Sequence, residues 1–158
     1  MITLITYQAG FGQPSFSPFC VKAIWLLQAA GADWQREDSN DPRKYPQAKL
    51  PAIRTPEGII GDSHNIQSYL ERQGADFWGN VTDRSTGHAF IRMAEEHMYF
   101  HLLLDRWAND DIWPIIRENY FTDVPKLVRK PVTGFVRKAF LKGADAKGLG
   151  RITTVERH

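Results

Sequence analysis

The hydrophobic pattern of the chain changes once, near residues 74–82, and that change restricts the folds open to it. Before it, short runs of β-branched and apolar residues alternate with single helical stripes. After it, every apolar stripe has helical spacing. A chain of 158 residues suits one domain, or one small domain and part of another. It can bury roughly two-thirds of its unfolded surface, so it needs no disulfide or metal staple.

The first part reads in order. Residues 2–7 (Ile2, Thr3, Leu4, Ile5, Thr6, Tyr7) form a buried strand, and a loop with Gly10, Gly12 and Pro14 follows. Ser17-Pro18-Phe19-Cys20 opens a helix, with Ser17 suited to the N-cap and Pro18 to the first helical position, where a missing N–H costs nothing. Gly31 ends that helix. A short strand carrying Trp34 spans Asp33 to Asp38, and residues 41–46 are loop-like. Ala52–Thr55 and Ile59–Gly61 flank a Pro-x-Gly turn as a hairpin, and Asp62 and Ser63 stand where the next helix needs a cap. That helix, with Ile66, Tyr69 and Leu70 on its apolar side, stops before Gly74. The order is β-α-β, a loop, then β-β-α.

From Ser85 the pattern is one long helix through Trp107, a break at Trp113-Pro114, and one or two further helices. Gly143, Gly148 and Gly150 mark a loop, and residues 152–158 read as the start of another helix.

Charge and cysteine content narrow the function. Residues 124–158 hold nine basic residues and two acids, so this segment is +7 and residues 1–123 are −5. The basic segment carries no nucleic-acid-binding motif and reads as a solvated face or one resting on acidic parts of the same protein. One cysteine, Cys20, excludes an internal disulfide framework and a Cys-rich zinc site. No apolar run reaches the length of a membrane span, and Met1–Thr6 lacks signal-peptide character, so a cytoplasmic location is the expectation.

Individual residues carry more than one reading. Asp62 and Ser63, by spacing alone, are an ordinary helix cap. Tyr7 reads as a core aromatic, Lys49 as a solvent lysine, and Cys20 as a small buried hydrophobe. His97 and His101 have the i, i+4 spacing of a metal pair but no evident third ligand, so no metal is expected. Gly10-Phe11-Gly12 is too sparse for a nucleotide loop.

Taken together, Ser17-Pro18-Phe19-Cys20 at the first helix start, Lys49-Leu50-Pro51, Asp62-Ser63 and the helical second half resemble the glutathione S-transferase superfamily. Within it the chain is most similar to the metaxin-like and failed-axon-connections-like proteins, through Tyr7-Gln8, Pro14 to Lys22 and Gly148-Leu149-Gly150-Arg151. Those proteins usually carry His after that turn, where Ile152 stands here. The resemblance implies an α/β thioredoxin-like, glutathione-binding domain over residues 1–78. An all-α transferase-type domain over 83–158 follows, ending partway through the helices that family members continue with.

The resemblance also implies roles. Asp62 and Ser63 would hold the γ-glutamyl end of glutathione, Asp62 facing the ammonium and Ser63 with the helix N–H groups taking the carboxylate. Leu50-Pro51 would present backbone to the cysteinyl part as a short added strand, with a cis proline. Lys49 or a neighbour would meet the glycine carboxylate. Ser17, or Tyr7, would stabilise the thiolate; Cys20 could instead exchange thiols if exposed. Glutathione is the implied co-substrate, a small hydrophobic electrophile the second substrate, and a homodimer the implied assembly. A non-catalytic metaxin-like adaptor is the alternative.

Overall fold

The computed structural model describes residues 1–151 and 153. It divides into two compact units, Met1–Asn80 and Val81–His158.

In the first unit, β1 (Ile2–Thr6), α1 (Pro18–Ala29), β2 (Trp34–Asp38), β3 (Ala52–Thr55), β4 (Gly58–Gly61) and α2 (Ser63–Arg72) follow one another. Two 3₁₀ turns, Pro42–Lys44 and Pro46–Ala48, fill the segment read as loop. The strands lie in the order β2-β1-β3-β4. β1 runs parallel to β2 and antiparallel to β3, which pairs antiparallel with β4. The parallel pair exists because α1 carries the chain back across the sheet, whereas the Pro56-Glu57-Gly58 turn permits only a hairpin.

Register fixes which residues meet. Leu4 lies opposite Ile53, and both are fully buried against Ile24 and Leu27 of α1 and Ile66 and Leu70 of α2. Burying each of these side chains contributes roughly 1.5–3 kcal/mol. Gly31 takes φ +60° just beyond α1, a backbone state that costs a glycine nothing.

The second unit contains α3 (Arg84–Arg92), a π-helical segment (Met93–Met98), α4 (Tyr99–Ala108), α5 (Trp113–Tyr120), α6 (Lys126–Ala146) and a 3₁₀ turn at Leu149–Arg151. The long helix expected from Ser85 is therefore interrupted by a widened turn. Gly143 is not loop: it lies inside α6. A single glycine costs a helix interior only about 1 kcal/mol, which its neighbours offset. The helix start read at 152–158 lies outside the described residues, Thr153 aside. Among the described residues no helix is long and apolar enough to cross a membrane.

Trp107 anchors this unit, its ring 5.3 Å from Trp113 and 5.2 Å from Phe140. Part of the basic segment is internal. Arg129 is buried, donating to the carbonyls of Val124 and Thr122 at 3.1 and 3.2 Å and to Glu118 at 2.7 Å. It thereby satisfies the α5–α6 turn. Other parts of α6 face solvent, with Leu127 96% and Phe135 76% exposed. Arg129→Ala, which removes three hydrogen bonds made by a buried side chain, is expected to cost the helical unit about 2–3 kcal/mol. Urea denaturation followed by circular dichroism measures it, and an unchanged midpoint would show that the turn does not depend on Arg129.

Candidate functional site

The eight residues singled out in the sequence all lie in the first unit, and local contacts string most of them together. Ser17 caps α1: its Oγ accepts from the Cys20 N–H at 3.4 Å, with φ −95° and ψ 123° at the cap. Pro18 follows at the first helical position. Ser17 is half-buried. Its hydroxyl accepts from the helix, so its own proton can be offered to an anion beside the helix terminus.

Cys20 packs with Ile5, Leu50 and Ala52, and Tyr7 lies against the same cluster. Cys20 is fully buried. The exposed thiol that a glutathione exchanger needs is therefore absent from this structure, and Cys20 serves as a small apolar side chain. Iodoacetamide should leave Cys20 unmodified in native protein and alkylate it on unfolding; intact-mass measurement reads both, and stoichiometric labelling of the native chain would contradict the burial.

The β1–β3 ladder ends at the Ile5–Ala52 pair, so Leu50 lies beyond its last rung. The Leu50-Pro51 bond is cis. Lys49 is exposed, and its N–H donates to the Pro46 carbonyl at 3.4 Å.

Asp62 connects the proline segment to α2. Its N–H donates to the Pro51 carbonyl at 3.1 Å, and its carboxylate accepts from the His64 N–H at 2.8 Å as the N-cap. Asp62 has φ +77° and ψ 133°, a region that side chains other than glycine rarely occupy. Ser63, the first residue of α2, is 2% exposed. An exposed carboxylate, a serine and a helix N-terminus thus sit one hydrogen bond from Pro51.

Sequence reasoning missed three supporting residues. Ser15 is 2% exposed, and its Oγ donates to the Tyr7 carbonyl at 2.9 Å. Thr6 Oγ1 lies 3.2 Å from the same Ser15 oxygen. Arg36 of β2 donates to the Tyr7 carbonyl at 3.1 Å and to the Pro14 carbonyl at 2.7 Å. Nothing in the spacing of Pro14-Ser15-Phe16 marks Ser15, and Arg36 reaches this loop only because β2 pairs with β1. Elsewhere on the sheet, the Glu37 carboxyl is held below its ordinary range chiefly by a hydrogen bond from Arg54, against opposing desolvation. Its stabilisation is present above the unfolded carboxylate pKa and is lost as pH falls through the lowered folded value; both groups are exposed, so it is small. An open depression of about 350 Å³ beside β4 and α2, lined in part by Gln47, Ile60, Asn65 and Arg72, contains none of the eight residues.

The mixed sheet flanked by α1 and α2, followed in sequence by a helical region, defines a thioredoxin-like domain and C-terminal helices of the glutathione-transferase kind. Residues 18–112 match the family of the glutathione S-transferase N-terminal domain, and the chain belongs to that family. It is 28% identical over 163 residues to the isoprene-epoxide–glutathione S-transferase of Rhodococcus sp. strain AD45. That similarity covers 96% of this chain and 67% of the relative. Among solved structures, a glutathione transferase from Phanerochaete chrysosporium aligns with a TM-score of 0.51 at 17% identity, over 74% of this chain and 68% of that one. The Tau class glutathione S-transferase from mango, Mangifera indica, aligns with a TM-score of 0.54 at 16% identity, over 74% and 58%. At such identities the two structures speak for the fold alone.

Proposed function

We propose that this glutathione S-transferase-like chain binds glutathione along the strip from Ser17 to Ser63 and stabilises its thiolate for attack on a small electrophile. The observation that carries this reading is Asp62. A non-glycine residue is kept at φ +77° by its N–H bond to the Pro51 carbonyl while its carboxylate caps α2. Strained backbone of this kind costs of order 1–3 kcal/mol and collects at ligand sites.

The roles are those the family resemblance implies, and the chemistry of each group suits them. Asp62 faces the ammonium of the γ-glutamyl group, and Ser63 with the first N–H groups of α2 takes its carboxylate. The backbone of Leu50 pairs with the cysteinyl residue as a short added strand. Lys49, which is exposed, meets the glycine carboxylate. Ser17 donates its hydroxyl proton to the sulfur; Tyr7, packed against the Cys20–Leu50 cluster, is the alternative donor. The thiol proton passes to solvent, a C–S bond forms, and the electrophile loses a leaving group or opens a strained ring. With an epoxide, the ring C–O bond breaks and the resulting alkoxide is protonated by water.

The relative that acts on isoprene epoxide makes small epoxides the first electrophiles to try. A cytoplasmic location, a homodimer and an apolar electrophile accompany this reading. Kinship to the metaxin-like subgroup rests on Tyr7-Gln8, the Pro14 to Lys22 segment and the Gly148–Arg151 turn, and the adaptor alternative is the less supported one. The test is conjugate formation from glutathione and a panel of small epoxides, read by mass spectrometry. Conjugate formed well above the uncatalysed rate is expected; no enzyme-dependent conjugate, with no glutathione binding, would favour the adaptor alternative instead.

A further inference from the structure

The loop between β1 and α1 is held by one buried hydroxyl. Ser15 is 2% exposed, and its Oγ meets three groups. It donates to the Tyr7 carbonyl at 2.9 Å, accepts from the Ser17 N–H at 3.3 Å, and lies 3.2 Å from Thr6 Oγ1, whose one proton has both Ser15 Oγ and, at 3.1 Å, the Tyr7 carbonyl as acceptors. One donor and two acceptors exhaust what a hydroxyl can do. The end of β1, the loop and the N-cap of α1 therefore share a single node.

The surroundings leave that node little freedom. Arg36 grips the same Tyr7 carbonyl and the Pro14 carbonyl with its two terminal nitrogens. Gly10 and Gln13 exchange reciprocal backbone bonds at 3.0 Å, and the Phe16 N–H returns to the Gln8 carbonyl at 3.0 Å. The Phe16 ring lies so close over Gly10 that a Cβ there would fall 1.8 Å from it. The bond of interest is the one to the Ser17 N–H, since Ser17 is the residue whose hydroxyl is offered to an anion.

We propose that Ser15 is a positioning residue: it fixes the backbone of Ser17, and through it the direction of the Ser17 hydroxyl toward the bound sulfur. This rests on the reading of Ser17 given above. A hydroxyl misaimed by tens of degrees loses most of its hydrogen bond. Ser15→Ala should then weaken thiolate stabilisation more than glutathione binding, because the γ-glutamyl and glycyl ends are held elsewhere.

The experiment titrates the thiol of bound glutathione by its ultraviolet thiolate absorbance in wild type, Ser15→Ala, Ser17→Ala and the double variant. Wild type should lower the thiol pKa relative to free glutathione. Ser15→Ala should raise it by about one unit and lower kcat near neutral pH by about tenfold, with KM for glutathione changed by less than about threefold. In the Ser17→Ala background, Ser15→Ala should have no further effect, since it acts through Ser17. Should Ser15→Ala fail to fold, Arg36→Met releases the same loop from a side chain that is 31% exposed, and it should shift the titration in the same direction. An unshifted titration in the folded variant, or an undiminished effect without the Ser17 hydroxyl, overturns the positioning role. A wild-type chain that binds glutathione without lowering its thiol pKa, or does not bind it, overturns the reading of Ser17 and this inference with it.

Discussion

Ser17→Ala is expected to reduce glutathione turnover by about a hundredfold or more at neutral pH, the usual loss when one preorganised donor to a developing anion is removed. The same substitution deletes the cap of α1 and costs about 1 kcal/mol of stability, so activity and folding must be separated. Ser17→Asp separates them. Aspartate caps a helix as well as serine, so the melting temperature should stay near that of wild type. It carries no hydroxyl proton and sets a negative charge beside the sulfur, so turnover should fall at least as far as in Ser17→Ala. Initial-rate kinetics at saturating glutathione, beside thermal melts, check both. Turnover within threefold of wild type in Ser17→Ala would move the role to Tyr7, and Tyr7→Phe would then show the loss.

The second large effect concerns Asp62. Asparagine accepts the His64 N–H as aspartate does and tolerates positive φ, so Asp62→Asn should leave the fold and the α2 cap in place. It removes the charge proposed to face the glutathione ammonium. A hydrogen bond to a charged group contributes about 1.5–3 kcal/mol, so glutathione affinity should drop by roughly 10- to 100-fold. Asp62→Gly sharpens the contrast: it relieves the backbone at φ +77°, so stability should hold or rise while binding is lost. Calorimetric binding and thermal melts on the two variants test this. Unchanged affinity in Asp62→Asn would remove the ammonium role.

Much of the first unit was legible in the sequence because its turns are written in residues with local physical reasons. Ser17-Pro18 starts a helix, Gly31 ends one, and Pro56-Glu57-Gly58 closes a hairpin. The strip of site residues was legible only through family resemblance, since Asp62-Ser63 by itself is an ordinary cap. Tertiary placement was not legible. Ser15 and Arg36 gain their roles from β1–β2 pairing and from a loop folded back on Tyr7, contacts of long sequence separation that no local pattern encodes. The π-helical turn at Met93–Met98 was missed because a single widened turn hardly disturbs a helical stripe. Gly143 reads as loop because glycine commonly ends helices, whereas α6 runs through it as it does through Gly134 and Pro131. Of the two readings open for the basic segment, Arg129 follows the second: it is buried under the α5–α6 turn and paired with Glu118 of the same chain.

The central claim is that the strip joining Ser17, Leu50-Pro51 and Asp62-Ser63 holds glutathione. Isothermal titration of glutathione into the wild-type chain and into Asp62→Asn tests it most directly. A single saturable site is expected in wild type, and a binding curve weakened by at least about tenfold in the variant. No saturable heat up to millimolar glutathione, or identical curves for the two proteins, would contradict it.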